Sequence, residues 1–194
     1  MPRHIRSIVP DTTALKALAH PVRVRMLGLL RIEGPATATG LATRLKLNSG
    51  ATSYHLRQLA EHGFIEEAED LGNRRERWWR AAHESTNVDI RGSEDEAAEA
   101  GLAFLQAALS WQVSQMQRAL ELTPQQPKEW REASTVSDWT IPLTAAEAKA
   151  LTERVQAILW EVKSTAPPLG EAPDGTRPFT VVFHSFPLPQ EPEG

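Results

Sequence analysis

The sequence predicts a mainly α chain with small β elements, an α+β fold in which a winged helix-turn-helix precedes a long dimerisation helix and a small α/β C-terminal unit. Three observations predict it. Between residues 12 and 63 apolar side chains recur at helical spacing in four short runs, each opened by a capping residue. Directly after Gly63 the period shortens to that of strands around a polar turn. From Ser93 an uninterrupted helical pattern runs to Leu122.

Asp11 or Thr12 caps a first helix reaching Leu18, and His20-Pro21 opens a second, with proline at a first-turn position where its missing N–H is not needed. That helix carries Val22, Val24, Met26, Leu27, Leu29 and Leu30 and stops near Glu33-Gly34-Pro35. Thr37 or Thr39 caps a third, short helix through Leu41, Ala42 and Leu45, and Lys46-Leu47-Asn48 makes a tight turn. Asn48 or Ser49 caps the fourth, whose inward positions Thr52, Leu56 and Leu59 keep helical spacing, and Gly63 supplies the left-handed residue that ends it. Phe64 to Glu69 and Arg74 to Ala81, joined by Asp70-Leu71-Gly72-Asn73, read as the β-hairpin of a wing.

Ser93-Glu94-Asp95-Glu96 is a capping box, serine with glutamate three residues on, and opens the long helix 93–122. Along it Ala98, Leu102, Leu105, Leu109, Gln112, Met116 and Ala119 alternate spacings of three and four, the seam of a helix that seeks a partner helix. Leu102, Leu105, Leu109 and Met116 are the expected dimerisation residues. After the polar connector Thr123 to Lys128 come a strand near 134–141, a helix over 144–163 opened by a second capping box at Thr144-Ala145-Ala146-Glu147, and a strand over 179–186. The two strands are expected to pair. This divides the chain into a winged-helix domain, 1–90, and a dimerisation and effector region, 91–194.

Composition narrows the function. The chain has no cysteine, which excludes disulfides, thiolate metal sites and cysteine nucleophiles and fits a cytoplasmic protein. No apolar run approaches a membrane span or a signal peptide, so no membrane partner is expected. The net charge of -4 conceals an asymmetry: residues 1–83 hold 13 Lys/Arg against 8 Asp/Glu, a balance of +5, and the remainder 8 against 17, a balance of -9. Local charge governs nucleic-acid affinity, so the basic half is where such a partner would bind. There is no glycine-rich phosphate loop, no Gly-x-Ser-x-Gly, and no helpful His/acid spacing, so no enzyme and no cofactor are expected.

With Thr52, Leu56 and Leu59 inward, Ser49, Gly50, Ser53, Tyr54, Arg57 and Gln58 of the fourth helix lie outward, small near its start and able to meet base edges and phosphates of double-stranded DNA in the major groove. Arg74, Arg75 and Arg77 of the wing would grip phosphates beside them. The stretch Leu15 to Leu30 with its Ala19-His20-Pro21-Val22-Arg23 opening, Leu41 to Leu45, and Thr52 to Ile65 with its Ser-x-His-Leu-x-x-Leu core resemble the ArsR-type winged-helix regulators. The resemblance implies a homodimeric repressor or activator with flanking helices at the dimer interface. Many relatives sense metals through cysteines or through Asp/His and His/Glu pairs on the helix after the wing. Those ligands are missing here, and the six histidines show no metal-ligand spacing, so no metal site is expected. Trp111, Trp130, Trp139 and Trp160 concentrate in the second half, where core packing or a cavity for a small organic ligand would use them. Two competing readings are a protein-interaction module built on the long helix and a non-thiol metal sensor.

Overall fold

Each helix in the first half starts on a side chain that accepts one of its open N–H groups, and these caps set the element order in the computed structural model, which describes residues 2–71, 76–88 and 95–189. Asp11 caps α1 (Thr12–Leu18) and His20 caps α2 (Pro21–Ile32). Thr37 caps α3 (Ala38–Leu45), and Asn48 caps α4 (Ser49–Glu61). Between α3 and α4 the chain reverses at Lys46, which takes the left-handed conformation at φ 55°, and beyond α4 Gly63 does the same at φ 71°.

The wing is β3 (Ile65–Glu67) against β4 (Trp78–Ala81), antiparallel, with Ile65 opposite Ala81 and Glu67 opposite Trp79. A two-residue strand β2 (Ala36–Thr37) joins the other edge of β4, giving the order β2-β4-β3. A further short parallel pair ties β1 (Ser7–Ile8) to β5 (Ser85–Thr86), with the Ser7 and Ser85 hydroxyls 2.7 Å apart. Leu18, Met26, Leu41, Leu56, Leu59 and Phe64, all buried, form one core under α1 to α4 and the wing. Sequence periodicity predicted neither β2 nor the β1–β5 pair.

The long helix α5 (Asp95–Leu122) lies on this head. Ala100 and Ala107 are buried, and Phe104, Ala108 and Trp111 pack beside them against α1 and α2. Gly28, in the middle of α2, makes the crossing close, since a Cβ there would sit 2.7 Å from Trp111 Nε1. The capping serine expected for this helix, Ser93, falls outside the described residues.

Beyond α5 the mainly α, small-β architecture continues, among the described residues, as helix without sheet. A 3-10 turn (Thr123–Gln125) leads to the short α6 (Lys128–Glu132), where a plain connector was expected, and then to α7 (Ala145–Thr165), with its capping box between Thr144 and Glu147 formed. The expected strands near 134–141 and 179–186 are not formed, a correction to the predicted α/β unit. The physical reason is that neither segment meets a backbone partner among the described residues. Trp139 is 77% exposed, and residues 177–185 run as an extended strap whose contacts are made by side chains. Arg177 donates to Gln126 and lies over Trp130, Phe179 meets Trp130, His184 bonds Gln112 at 3.0 Å, and Ser185 bonds Thr152 at 2.9 Å. A second 3-10 turn (Leu169–Glu171) lies between α7 and the strap.

Candidate nucleic-acid interface

The fourth helix is divided by burial. Thr52, Leu56 and Leu59 are at most 1% exposed, and the Thr52 hydroxyl donates to Asn48 O at 3.0 Å, which lets a polar side chain sit in the core. On the other side Ser49, Gly50, Tyr54 and Arg57 are exposed, while Ser53 and Gln58 are half-exposed. Asn48 Oδ1 accepts from Ala51 N at 2.7 Å and fixes the first turn. Neither α3 nor α4 has an acid in its first turn, so the partial positive charge of both helix starts stays available to an anion.

The wing folds back beside this face. Ser53 and Arg57 of α4, Thr37, Ala38 and Thr39 at the start of α3, and Glu76, Arg77 and Trp79 of the wing line one open groove. Arg77 is held there, its Nε 3.1 Å from Glu67 Oε2 and its guanidinium 5.6 Å from the Trp79 ring centre. Arg57 has no intramolecular partner among the described residues. Gln58 donates to Glu61 at 3.0 Å, so part of its amide is engaged within its own helix. Arg74 and Arg75 fall outside the described residues. Arg80, which no sequence motif singled out, pairs with Asp70 and, at 3.9 Å, with Glu66.

Behind α4 lies a cluster that sequence reasoning missed. His20 accepts from Val22 N through Nδ1 at 3.2 Å, and its ring centre is 4.6 Å from that of His55, which in turn meets the edge of Tyr54. Arg23 lies close by. Burial, and then the Arg23 charge, push the His20 imidazole below its ordinary pKa; burial, then His20 and Arg23, do the same to His55. His55 Nδ1 and Arg23 Nε are buried without a hydrogen-bond partner among the described residues. His55 stands three residues from Thr52 and four from Leu59, at the edge of the buried face, and that spacing is the signal that could have found it.

Of the expected dimerisation residues, Leu102, Leu105, Leu109 and Met116 all lie on the open side of α5, 40 to 50% exposed. The four tryptophans do not meet: Trp111 packs on Gly28, Trp130 on Phe179, and Trp139 and Trp160 are exposed. Among the described residues no group of three or more His, Asp or Glu could hold a metal ion, and no helix is long and apolar enough to cross a membrane.

Residues 18–68 match a family model described as a helix-turn-helix domain. The chain therefore carries a helix-turn-helix, a DNA-binding module of transcriptional regulators, and β3 and β4 give it a wing. A comparison of the sequence with curated proteins gives no match. Among solved structures it is similar to a double mutant of ZitR from Lactococcus lactis in apo form, at 17% identity over 74% of this chain and 83% of that one, TM-score 0.33. It is also similar to a cysteine-to-serine mutant of MarR from E. coli, at 19% identity over 71% and 75%, TM-score 0.30. At these scores the superpositions are partial, and the fold assignment rests on the chain's own topology.

Proposed function

We propose that this protein is a cytoplasmic transcriptional regulator of ArsR type that binds double-stranded DNA as a homodimer on an inverted-repeat operator and has neither a metal switch nor a catalytic role. Residues 1–90 act as the DNA-binding domain and 91–194 as the dimerisation and effector region. The observation that carries this reading is the outer face of α4, where Arg57, without a partner among the described residues, lines the groove between helix and wing. In that arrangement α4 enters the major groove by its first turns. Ser49, Gly50 and Ser53 let it approach closely, while Tyr54, Arg57 and Gln58 reach base edges or phosphates. Arg77, with Arg74 and Arg75, holds the flanking backbone. Dimerisation through Leu102, Leu105, Leu109 and Met116 sets two such heads for half-sites related by a twofold axis.

Selection from a random duplex library followed by footprinting tests this reading. The expected product is a palindromic site, and Arg57→Ala is expected to relax one base position by about 10- to 100-fold. Absent or sequence-independent binding would overturn the proposal.

A further inference from the structure

The exposed apolar surface of this molecule is concentrated in one half. Among the described residues all exposed large hydrophobic side chains except Val9, Tyr54 and Leu71 lie at or beyond Leu102, and after residue 122 only Ser164 is buried. Monomeric proteins rarely leave contiguous apolar surface of this extent open. Two helical faces within it share one spacing. On α5 Leu102, Leu105, Leu109, Val113, Met116 and Leu120 recur at steps of three and four and are 38 to 54% exposed. On α7 Leu151, Val155, Ile158 and Val162 follow steps of four, three and four, and Leu151, Ile158 and Val162 are 41 to 61% exposed. That spacing is the seam of one helix against another.

The two faces are not closed within the chain. The strap 177–185 bridges its own α5 and α7, through His184 to Gln112 and Ser185 to Thr152, and Thr152, Val155 and Leu159 are half-buried on that side of α7. At its far end α7 is tied to the head by a polar latch. Arg3 N and Nε donate to Ser164 O and Ala166 O at 2.8 and 2.9 Å, and the Arg3 guanidinium grips both oxygens of Glu84 at 2.7 and 2.8 Å. Most other residues of α7 are exposed, whereas helices in folded proteins draw most of their stability from packing of an amphipathic face.

We propose that α7 of one copy packs along the open face of α5 of a second copy, so that two α5 and two α7 helices form a four-helix bundle around the dimer axis. This rests on the homodimer reading above and names the element that completes it. A second copy is the occupant because each chain carries both complementary stripes, so a twofold pairing satisfies them together with no third component. Neither stripe contains a charged residue, which disfavours nucleic acid or an acidic peptide. The nine open side chains on the two stripes leave roughly 800 Å² uncovered, close to what each partner contributes to a standard specific interface.

The absence of cysteine makes the test clean. Val113→Cys and Ile158→Cys sit near the middle of their stripes, so they meet whether the helices run parallel or antiparallel. The two full-length variants, one carrying a size tag, are mixed, re-equilibrated and treated with a short bismaleimide, and circular dichroism checks that each is folded. The expected result is a dimer by sedimentation and a tagged–untagged adduct joining residue 113 to residue 158. A dimer that yields only 113–113 adducts, or none between 113 and 158, overturns the bundle and leaves the homodimer standing. A folded monomer at micromolar concentration overturns both. As a second measurement, Ile158→Glu combined with Val162→Glu is expected to weaken dimerisation at least tenfold without lowering the melting temperature of the head. Unchanged dimerisation would sink the proposal.

Discussion

Gly28 gives the sharpest test of how the long helix meets the head. On intrinsic preference alone, Gly28→Ala in the middle of α2 should stabilise the protein by about 0.5–1 kcal/mol, because glycine is a poor interior helix residue. The packing reverses that expectation. The added Cβ would stand 2.7 Å from Trp111 Nε1 and 3.1 Å from Cε2, too near for ordinary contact, and the indole is partly buried against the core. Either the ring leaves its place or α5 is pushed off α2, and overpacking of this kind costs about 1–3 kcal/mol. The net loss is about 1–2 kcal/mol, which for a chain of this length lowers Tm by roughly 3–6 °C. Urea and thermal denaturation followed by circular dichroism measure it. Trp111→Leu, made alone and together with Gly28→Ala, supplies the coupling: in the smaller background the alanine should cost less or become favourable. A Gly28→Ala variant more stable than the parent would refute the close α2–α5 crossing.

Three further predictions address the head and the latch. Asn48→Ala removes the cap of α4 and should cost about 1 kcal/mol of stability, and it should weaken DNA binding beyond that loss because the first turn carries the outward residues; equal affinity in a binding titration would count against it. His20 and His55 have lowered folded-state pKa values, so the unfolded chain binds more protons below about pH 6.5; their contribution to stability is complete above that pH and is lost as pH falls toward and through the folded values. Denaturation between about pH 7.5 and 5.5 should show that slope in the parent and a shallower one in His55→Gln, whereas identical slopes would refute the role of the pair. Arg3→Ala removes the pairing with Glu84 and the Nε bond to Ala166 O at the end of α7, leaving only the backbone bond to Ser164 O, so limited proteolysis near residues 164–170 should become faster; an unchanged cleavage rate would show that the side-chain latch does not hold the helix end.

Where structure follows from neighbours in sequence, the chain was legible. The caps at Asp11, His20, Thr37 and Asn48 and the left-handed Gly63 are local, and so is the division of α4, since the burial of Thr52, Leu56 and Leu59 follows directly from their spacing. The misses are non-local. A two-residue strand such as Ala36–Thr37 has no period of its own, and its partners Trp78 and Trp79 lie far along the chain, as Ser85 does from Ser7. Phe179 to Phe186 has strong β character, but a strand needs a backbone partner, and among the described residues none pairs with this segment, so it runs as a strap across helices. The same limit applied to the interface. Helical spacing turned Arg57 outward, while the groove it shares with Thr39 and Arg77, and the stacking of His20 on His55, depend on how separate elements fold against one another.

That α4 and the wing together read duplex DNA is the central claim, and it is tested most directly by fluorescence anisotropy titration of a selected site and a scrambled duplex across a series of salt concentrations. The expected result is at least about 1,000-fold preference for the selected site, affinity that falls linearly in log–log form with salt, and an Arg77→Ala variant that binds both duplexes more weakly with a slope shallower by about 1. Equal affinity for the two duplexes, or a salt slope unchanged by Arg77→Ala, would contradict it.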